Sequence, residues 1–131
     1  KQAVYLDDAN TVADLPTAAQ LLAYKAEGIN IWAPPIFALL STDAQGRIVP
    51  SQAARDAKAA QLGLITWSLE RSGILGDGNN GFYYQSFDSA IKREGDALRV
   101  LDVLAQDVGV QGVFSDWPAT TTFYANCMGM K

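Results

Sequence analysis

The 131-residue sequence contains no histidine and only one cysteine. Histidine is the side chain whose ordinary pKa lies nearest neutrality, and it is the commonest transition-metal ligand. Acid-base chemistry carried by this chain alone would therefore fall to carboxylates, lysine or tyrosine. The single cysteine, Cys127, excludes an internal disulfide framework and a cysteine-based zinc site, and leaves open a pairing with another chain. Basic residues are few, with 10 Lys plus Arg against 14 Asp plus Glu, a net charge of -4 and a pI near 4.6. A surface that neutralises nucleic-acid phosphates or anionic lipid needs clustered cations, so no nucleic-acid partner is expected. No apolar run approaches the roughly 20 residues of a membrane helix. The opening Lys1-Gln2-Ala3-Val4-Tyr5-Leu6-Asp7 lacks a signal-peptide layout, and a start without Met is what a trimmed chain would show.

What is present is a globular composition, 49% hydrophobic and 18% charged, which predicts one domain over residues 1–131. Ala3-Val4-Tyr5-Leu6 is short, apolar and β-prone, and runs out into Asp7-Asp8 as a first strand would. After Pro16, Ala18, Leu21, Leu22 and Lys25-Ala26 recur at helical spacing, with Gly28 at the expected left-handed cap. Ile29-Asn30-Ile31-Trp32 predicts a second strand, stopped by Ala33-Pro34-Pro35. Residues 43–49 read as a polar loop around Gly46. A helix is expected to start at Pro50-Ser51-Gln52, to continue through Ala53, Ala54, Ala57, Ala59, Ala60 and Leu62, and to be closed by Gly63. Leu64-Ile65-Thr66-Trp67-Ser68-Leu69 predicts a third strand, apolar throughout as strands covered by helices are.

From Glu70 to about Gly95 lies a long loop rich in Gly, Asn and aromatics, with one short helical turn near Asp88–Ile91; such loops are commonly functional or mobile. Leu98, Leu101, Val103-Leu104-Ala105 and Val108 mark an amphipathic helix closed by Gly109. Gly112-Val113-Phe114-Ser115 is the fourth strand, leading into Asp116-Trp117-Pro118.

This strand-helix alternation is the grammar of a parallel α/β sheet. It suits either a small doubly wound open sheet or a segment of a (β/α)8 barrel, which typically needs about 250 residues. Strand order separates the two: successive neighbours paired in order 1-2-3-4 suit a barrel segment, and 2-1-3-4 suits the open sheet.

Three sets of residues invite a chemical reading. Gly76-Asp77-Gly78-Asn79-Asn80-Gly81 matches a G-x-G-x-x-G pattern, but it follows strand three only after an intervening stretch and leads into Phe82-Tyr83-Tyr84. The tight strand-to-helix turn that cradles a pyrophosphate is missing, so the segment reads as a flexible loop. Asp7-Asp8 offers the hard oxygens that suit Mg²⁺. Strands two and three end without a partnering aspartate, however, so loop capping is the expected role. Trp32, Trp67 and Trp117 each fall at or just past a strand's C-terminal end, the edge that carries ligands in parallel α/β proteins. Together they suggest an aromatic wall around an organic ligand.

The segment Gly112-Val113-Phe114-Ser115-Asp116-Trp117-Pro118, with the helix Arg99–Ala105 and the strand Leu64–Leu69 before it, resembles the end of the glycerophosphodiester phosphodiesterase barrel. That family's eighth strand carries G-[IVL]-F-[ST]-D-x-P, and its seventh an aromatic followed by Thr or Ser. Val4-Tyr5-Leu6-Asp7 and Gly28–Pro34 stand as its fifth and sixth strands, so the resemblance spans essentially the whole chain. It implies the C-terminal half of a (β/α)8 TIM barrel, about four parallel strands alternating with helices. The implied activity is metal-dependent hydrolysis of a glycerophosphodiester to an alcohol and glycerol phosphate.

In the family two histidines serve as acid and base, and carboxylates on the first strands hold a divalent cation, Mg or Ca. None of those groups has a counterpart here, so this chain alone is expected to be inactive and to bind no metal. Its implied share is the substrate wall: Trp67 against the glycerol or leaving alcohol, Asp116 and Trp117 at the eighth-strand side of the mouth, and Trp32 in the same rim. Many relatives carry Arg two residues after the Thr or Ser of strand seven, whereas Glu70 stands there in this chain and Arg71, next along, is the residue to reach a phosphate. Asp116 has an alternative role in orienting its loop.

A half-barrel exposes open edges, so its expected partner is the N-terminal half of the same barrel or a second copy. A periplasmic or secreted location fits best. Two other readings remain open at this point. One is a complete small α/β binding module whose aromatic rim takes a polyol or sugar, and the other is a fragment of another metal-dependent phospholipase-type barrel.

Overall fold

A computed structural model describes residues 2–77 and 80–130, so Gly78 and Asn79 of the glycine-rich segment, with Lys1 and Lys131, lie outside the described residues. The chain builds an α/β structure in which β1 (Ala3–Leu6), β2 (Ile29–Ala33), β5 (Gly63–Thr66) and β6 (Gly112–Val113) form a 4-stranded sheet in the order β1-β2-β5-β6. Every pairing in it is parallel. Strands that follow one another in the chain are neighbours in the sheet, and each connection between them carries at least one helix. Those helices include α1 (Ala18–Ala26), α3 (Gln52–Ala59) and α5 (Asp96–Asp102), and α6 (Pro118–Cys127) follows β6.

Local chemistry sets the helix ends. Thr17 and Gln20 form a reciprocal capping box at the start of α1, with Gln20 N–H donating to Thr17 Oγ1 (3.3 Å) and Thr17 N–H to Gln20 Oε1 (2.8 Å). Ser51 caps α3 by accepting from Ala54 N–H (3.0 Å). Pro50 ends a strand rather than entering the helix. The expected closure of α3 by Gly63 is also displaced. Gln61 takes the left-handed turn (φ 59°) and Gly63 is already the first residue of β5. Gly63 matters there for space, because a Cβ would stand 2.9 Å from the Gln111 side-chain amide. Gly109 does close its helix as expected (φ 75°), after α5 continues into a π-helical stretch over Val103–Val108.

Three further elements were not expected. Short α2 (Ile36–Leu39) leads into β3 (Leu40–Thr42), which pairs antiparallel with β4 (Ile48–Pro50). The 43–49 loop is thus mostly the tip of a hairpin. Asp43 pins it, accepting from Gln45 N–H and Arg47 N–H (both 2.9 Å) and from Arg47 Nε (2.7 Å). The backbone bond from Arg47 leads the contacts that hold the Asp43 carboxyl below the usual carboxylate range. The long loop after β5 contains α4 (Gly81–Tyr84) and then a 3-10 turn at Asp88–Ala90, where a helical turn was expected.

Register assigns the two faces of the sheet. Tyr5, Trp32 and Leu64 lie side by side, and neighbours in a parallel ladder point the same way. Tyr5 packs against Tyr24 of α1 with ring centroids 4.8 Å apart and planes tilted by 40°, so this row faces α1. Trp32 and Leu64 are buried in the core together with Leu21, Leu69, Val100, Leu104 and Val108. The opposite row contains Leu6 beside Ala33. All four residues of the edge strand β1 are exposed, with Leu6 at 63%.

Candidate ligand site at the strand ends

A cavity of about 320 Å³ opens where the sheet strands end, lined by Leu6, Trp67, Ser68, Arg71, Tyr83 and Phe114. Leu6 is the last residue of β1, Trp67 and Ser68 follow β5 directly, and Phe114 follows β6. Pairing continues a little beyond the regular strands: Phe114 N–H donates to Thr66 O (2.8 Å) and Leu69 N–H to Phe114 O (3.3 Å). Those bonds fix both walls. Trp67 is anchored by Nε1 donating to Ala33 O at 3.0 Å. Its ring meets Tyr83 at 5.7 Å and 75°, and Tyr83 meets Phe82 at 5.1 Å and 85°. Tyr83 arrives from α4, whose Tyr84 is buried and donates its hydroxyl to Leu69 O (2.8 Å). Burial raises that phenol's pKa, so Tyr84 acts as an anchor.

The rim is polar and ordered. Glu70 accepts from Ser115 Oγ–H (2.6 Å) through one oxygen and from Asp116 N–H (3.1 Å) through the other. Arg71 donates twice to Asp116, from Nε to Oδ2 (2.6 Å) and from Nη2 to Oδ1 (3.3 Å). The arginine hydrogen bond holds Asp116 below the usual carboxylate range, and the carboxylate raises the Arg71 pKa in turn.

Of the residues expected at a ligand wall, the structure brings Trp67 and Arg71 into the cavity and ties Asp116 to it through Arg71. Trp117 stands at the N-cap position of α6, is 68% exposed and is not among the residues lining the cavity. Trp32 is corrected outright. It is 0% exposed on the helix side of the sheet, with Nε1 donating to Asp7 Oδ2 (2.8 Å). Asp7 also accepts from Ala9 N–H (3.0 Å), which is the loop-capping role expected of it.

No protein-family model matches the chain. It is 48% identical over 137 residues to a protein of Arthroderma benhamiae named "Extracellular protein", an alignment that covers 99% of this chain and 55% of the relative. The chain spans about half of that relative's length.

Sequence reasoning missed Leu6, Ser68, Tyr83 and Phe114 as lining residues. The Phe82-Tyr83-Tyr84 run inside a glycine-rich loop was the available signal, since aromatics in a polar segment need somewhere to pack. Among the described residues no group of three or more His, Cys, Asp or Glu is placed to hold a metal ion, and no helix is long and apolar enough to cross a membrane. The side chains lining the cavity include no carboxylate and one guanidinium, a set that does not suit a divalent cation.

Proposed function

We propose that this chain is the C-terminal half of a (β/α)8 barrel of the glycerophosphodiester phosphodiesterase type, belonging to a secreted hydrolase. The observation that carries the reading is the parallel sheet in sequential order β1-β2-β5-β6, with its aromatic cavity at the strands' C-terminal ends. Barrel enzymes place their sites at that edge, and a whole barrel takes about 250 residues. The relative's greater length and its name support a longer, extracellular protein. The exposed β1 edge fits a strand supplied by the remaining half.

In the proposed reaction water bonds to phosphorus, the P–O bond to the alcohol breaks, and the alcohol leaves with a proton. The acid-base residues and the divalent cation belong to the other half. Trp67, Tyr83 and Phe114 shape the wall for the leaving alcohol, while Arg71 and Asp116 order the rim.

Assay of the 131-residue chain and of the full-length Arthroderma relative on glycerophosphoglycerol tests this. The relative should release glycerol phosphate and lose the activity in EDTA, and the short chain should be inactive. A folded monomer of the short chain that hydrolyses the substrate unaided would overturn the half-barrel, and an inactive relative would overturn the phosphodiesterase assignment.

A further inference from the structure

We infer that the rim where the sheet strands end docks onto a zwitterionic lipid surface, through single apolar side chains at the tips of separate loops. Such docking does not depend on the phosphodiesterase reading. Among the described residues, the connections that leave the strand ends expose Val12, Ile74, Phe82, Phe114 and Trp117. The helix-to-strand connections at 27–28, 60–62 and 109–111 expose no large hydrophobic side chain. Ile74 and Trp117 are the most exposed of all, at 74% and 68%. The Arg71–Asp116 pair joins their two loops, and Gly73 and Leu75, on either side of Ile74, line one cavity with Thr120 in the first turn of α6. Two tips from different loops therefore stand at neighbouring points of the rim.

Covering an exposed Trp or Ile takes apolar surface out of water, and the partner that does so here has to meet separate tips, not one continuous face. A fluid interface moulds itself around such tips. Trp117 has the chemistry of the headgroup level: its ring leaves water, while the indole N–H, which has no partner among the described residues, still meets lipid oxygens or water. Charge selects the kind of lipid. A net charge of -4 is repelled by an anionic bilayer. Around Ile74 both signs are present. Leu75 N–H donates to Glu94 (2.6 Å) and Gly76 lies against the Lys92 carbonyl, so exposed Lys92, Arg93 and Glu94 stand beside the loop that carries Glu70 and Arg71. Zwitterionic headgroups offer a phosphate to those cations and a positive end to those carboxylates.

Sedimentation of the chain with phosphatidylcholine vesicles tests the docking. Saturable binding is expected, unweakened by high salt and weaker when phosphatidylglycerol is mixed into the vesicles. Trp117→Ala and Ile74→Ser should each lower the partition coefficient roughly tenfold, with unchanged circular-dichroism spectra. Leu22→Ser on α1 and Val4→Ser on the edge strand β1 remove other exposed apolar groups and should leave the coefficient as it was. Absence of vesicle binding overturns the inference. An equal loss in Leu22→Ser or Val4→Ser does the same, since it means adsorption through any exposed apolar surface, and so does a preference for the anionic vesicles. Sedimentation equilibrium without lipid covers the other occupant: a concentration-dependent dimer that Trp117→Ala dissolves would assign the rim to a second copy of the chain. Hydrolysis of soluble glycerophosphoglycerol by the longer relative is measured without lipid, so the docking and the phosphodiesterase reading can fail separately.

Discussion

Arg71 and Asp116 meet in a two-point ion pair, Nε to Oδ2 at 2.6 Å and Nη2 to Oδ1 at 3.3 Å, that ties the loop after β5 to the loop after β6. Glu70 reinforces the same junction from the neighbouring position by holding Ser115 and the Asp116 amide. Both partners of the pair are well exposed, so solvent and salt screen their attraction. Its consequence is geometric. The guanidinium is held to one side of the aromatic cavity.

Removing the clamp should loosen the loop without unfolding the sheet. Glu70→Ala is expected to speed hydrogen exchange at the Asp116 amide, and Glu70→Gln, which keeps one carbonyl acceptor, should be intermediate. Arg71→Ala should leave the melting temperature near that of the parent. Unchanged Asp116 exchange in Glu70→Ala would show that the Glu70 bonds do not hold the loop.

Trp32 belongs to the core and not to the ligand wall. Trp32→Phe removes the indole donor from buried Asp7 and should cost about 1–3 kcal/mol in chemical denaturation. An unchanged denaturation midpoint in Trp32→Phe would show that the bond from the indole to Asp7 does not hold the core.

Asp96 stands at the start of α5, buried, and accepts from Lys92 N–H (2.8 Å) and Arg93 N–H (3.1 Å). Burial alone would raise its pKa, but these backbone bonds and Arg99 outweigh it, so the folded value falls below the ordinary 3.8. A depressed carboxylate stabilises the fold above its unfolded pKa, and the contribution disappears as pH falls through the lower folded value. Asp96→Asn should therefore lose about 1–3 kcal/mol near neutrality. Its stability should also fall less steeply than the parent's below pH 3.8, which urea melts at several pH values would measure.

Gln61 holds a left-handed backbone (φ 59°) at an exposed turn between α3 and β5. Glycine adopts that conformation without a Cβ clash, so Gln61→Gly should gain about 0.5–1 kcal/mol. The urea midpoint should rise with an unchanged slope. A lowered midpoint would mean that chain entropy outweighs the strain relieved.

Much of the architecture was legible because it is local. The apolar runs at 3–6, 29–32 and 64–66 became strands, and Gly28 and Gly109 marked helix ends where a positive φ is needed. Other features depend on contacts distant in sequence. The β3–β4 hairpin was hidden because Leu40-Ser41-Thr42 carries little pattern of its own and pairs only once Asp43 turns the chain. Strands three and four were read long because the apolar composition continues past the last regular ladder residue, to Leu69 and Phe114.

The amino-acid sequence by itself determined the alternation of strands and helices, the direction of the sheet edge that carries Trp67 and Asp116, and the lack of any histidine-based chemistry on this chain. Periodicity, turn residues and composition act over a few neighbours, and that range suffices for those features. Only the tertiary structure decided that Trp32 turns into the core, that Tyr83 crosses from its loop to stand against Trp67, and that Arg71 closes on Asp116. Side-chain direction in a strand reverses at every residue, so the face that each tryptophan takes follows from register against neighbouring strands. Loop side chains likewise find partners only when distant segments pack.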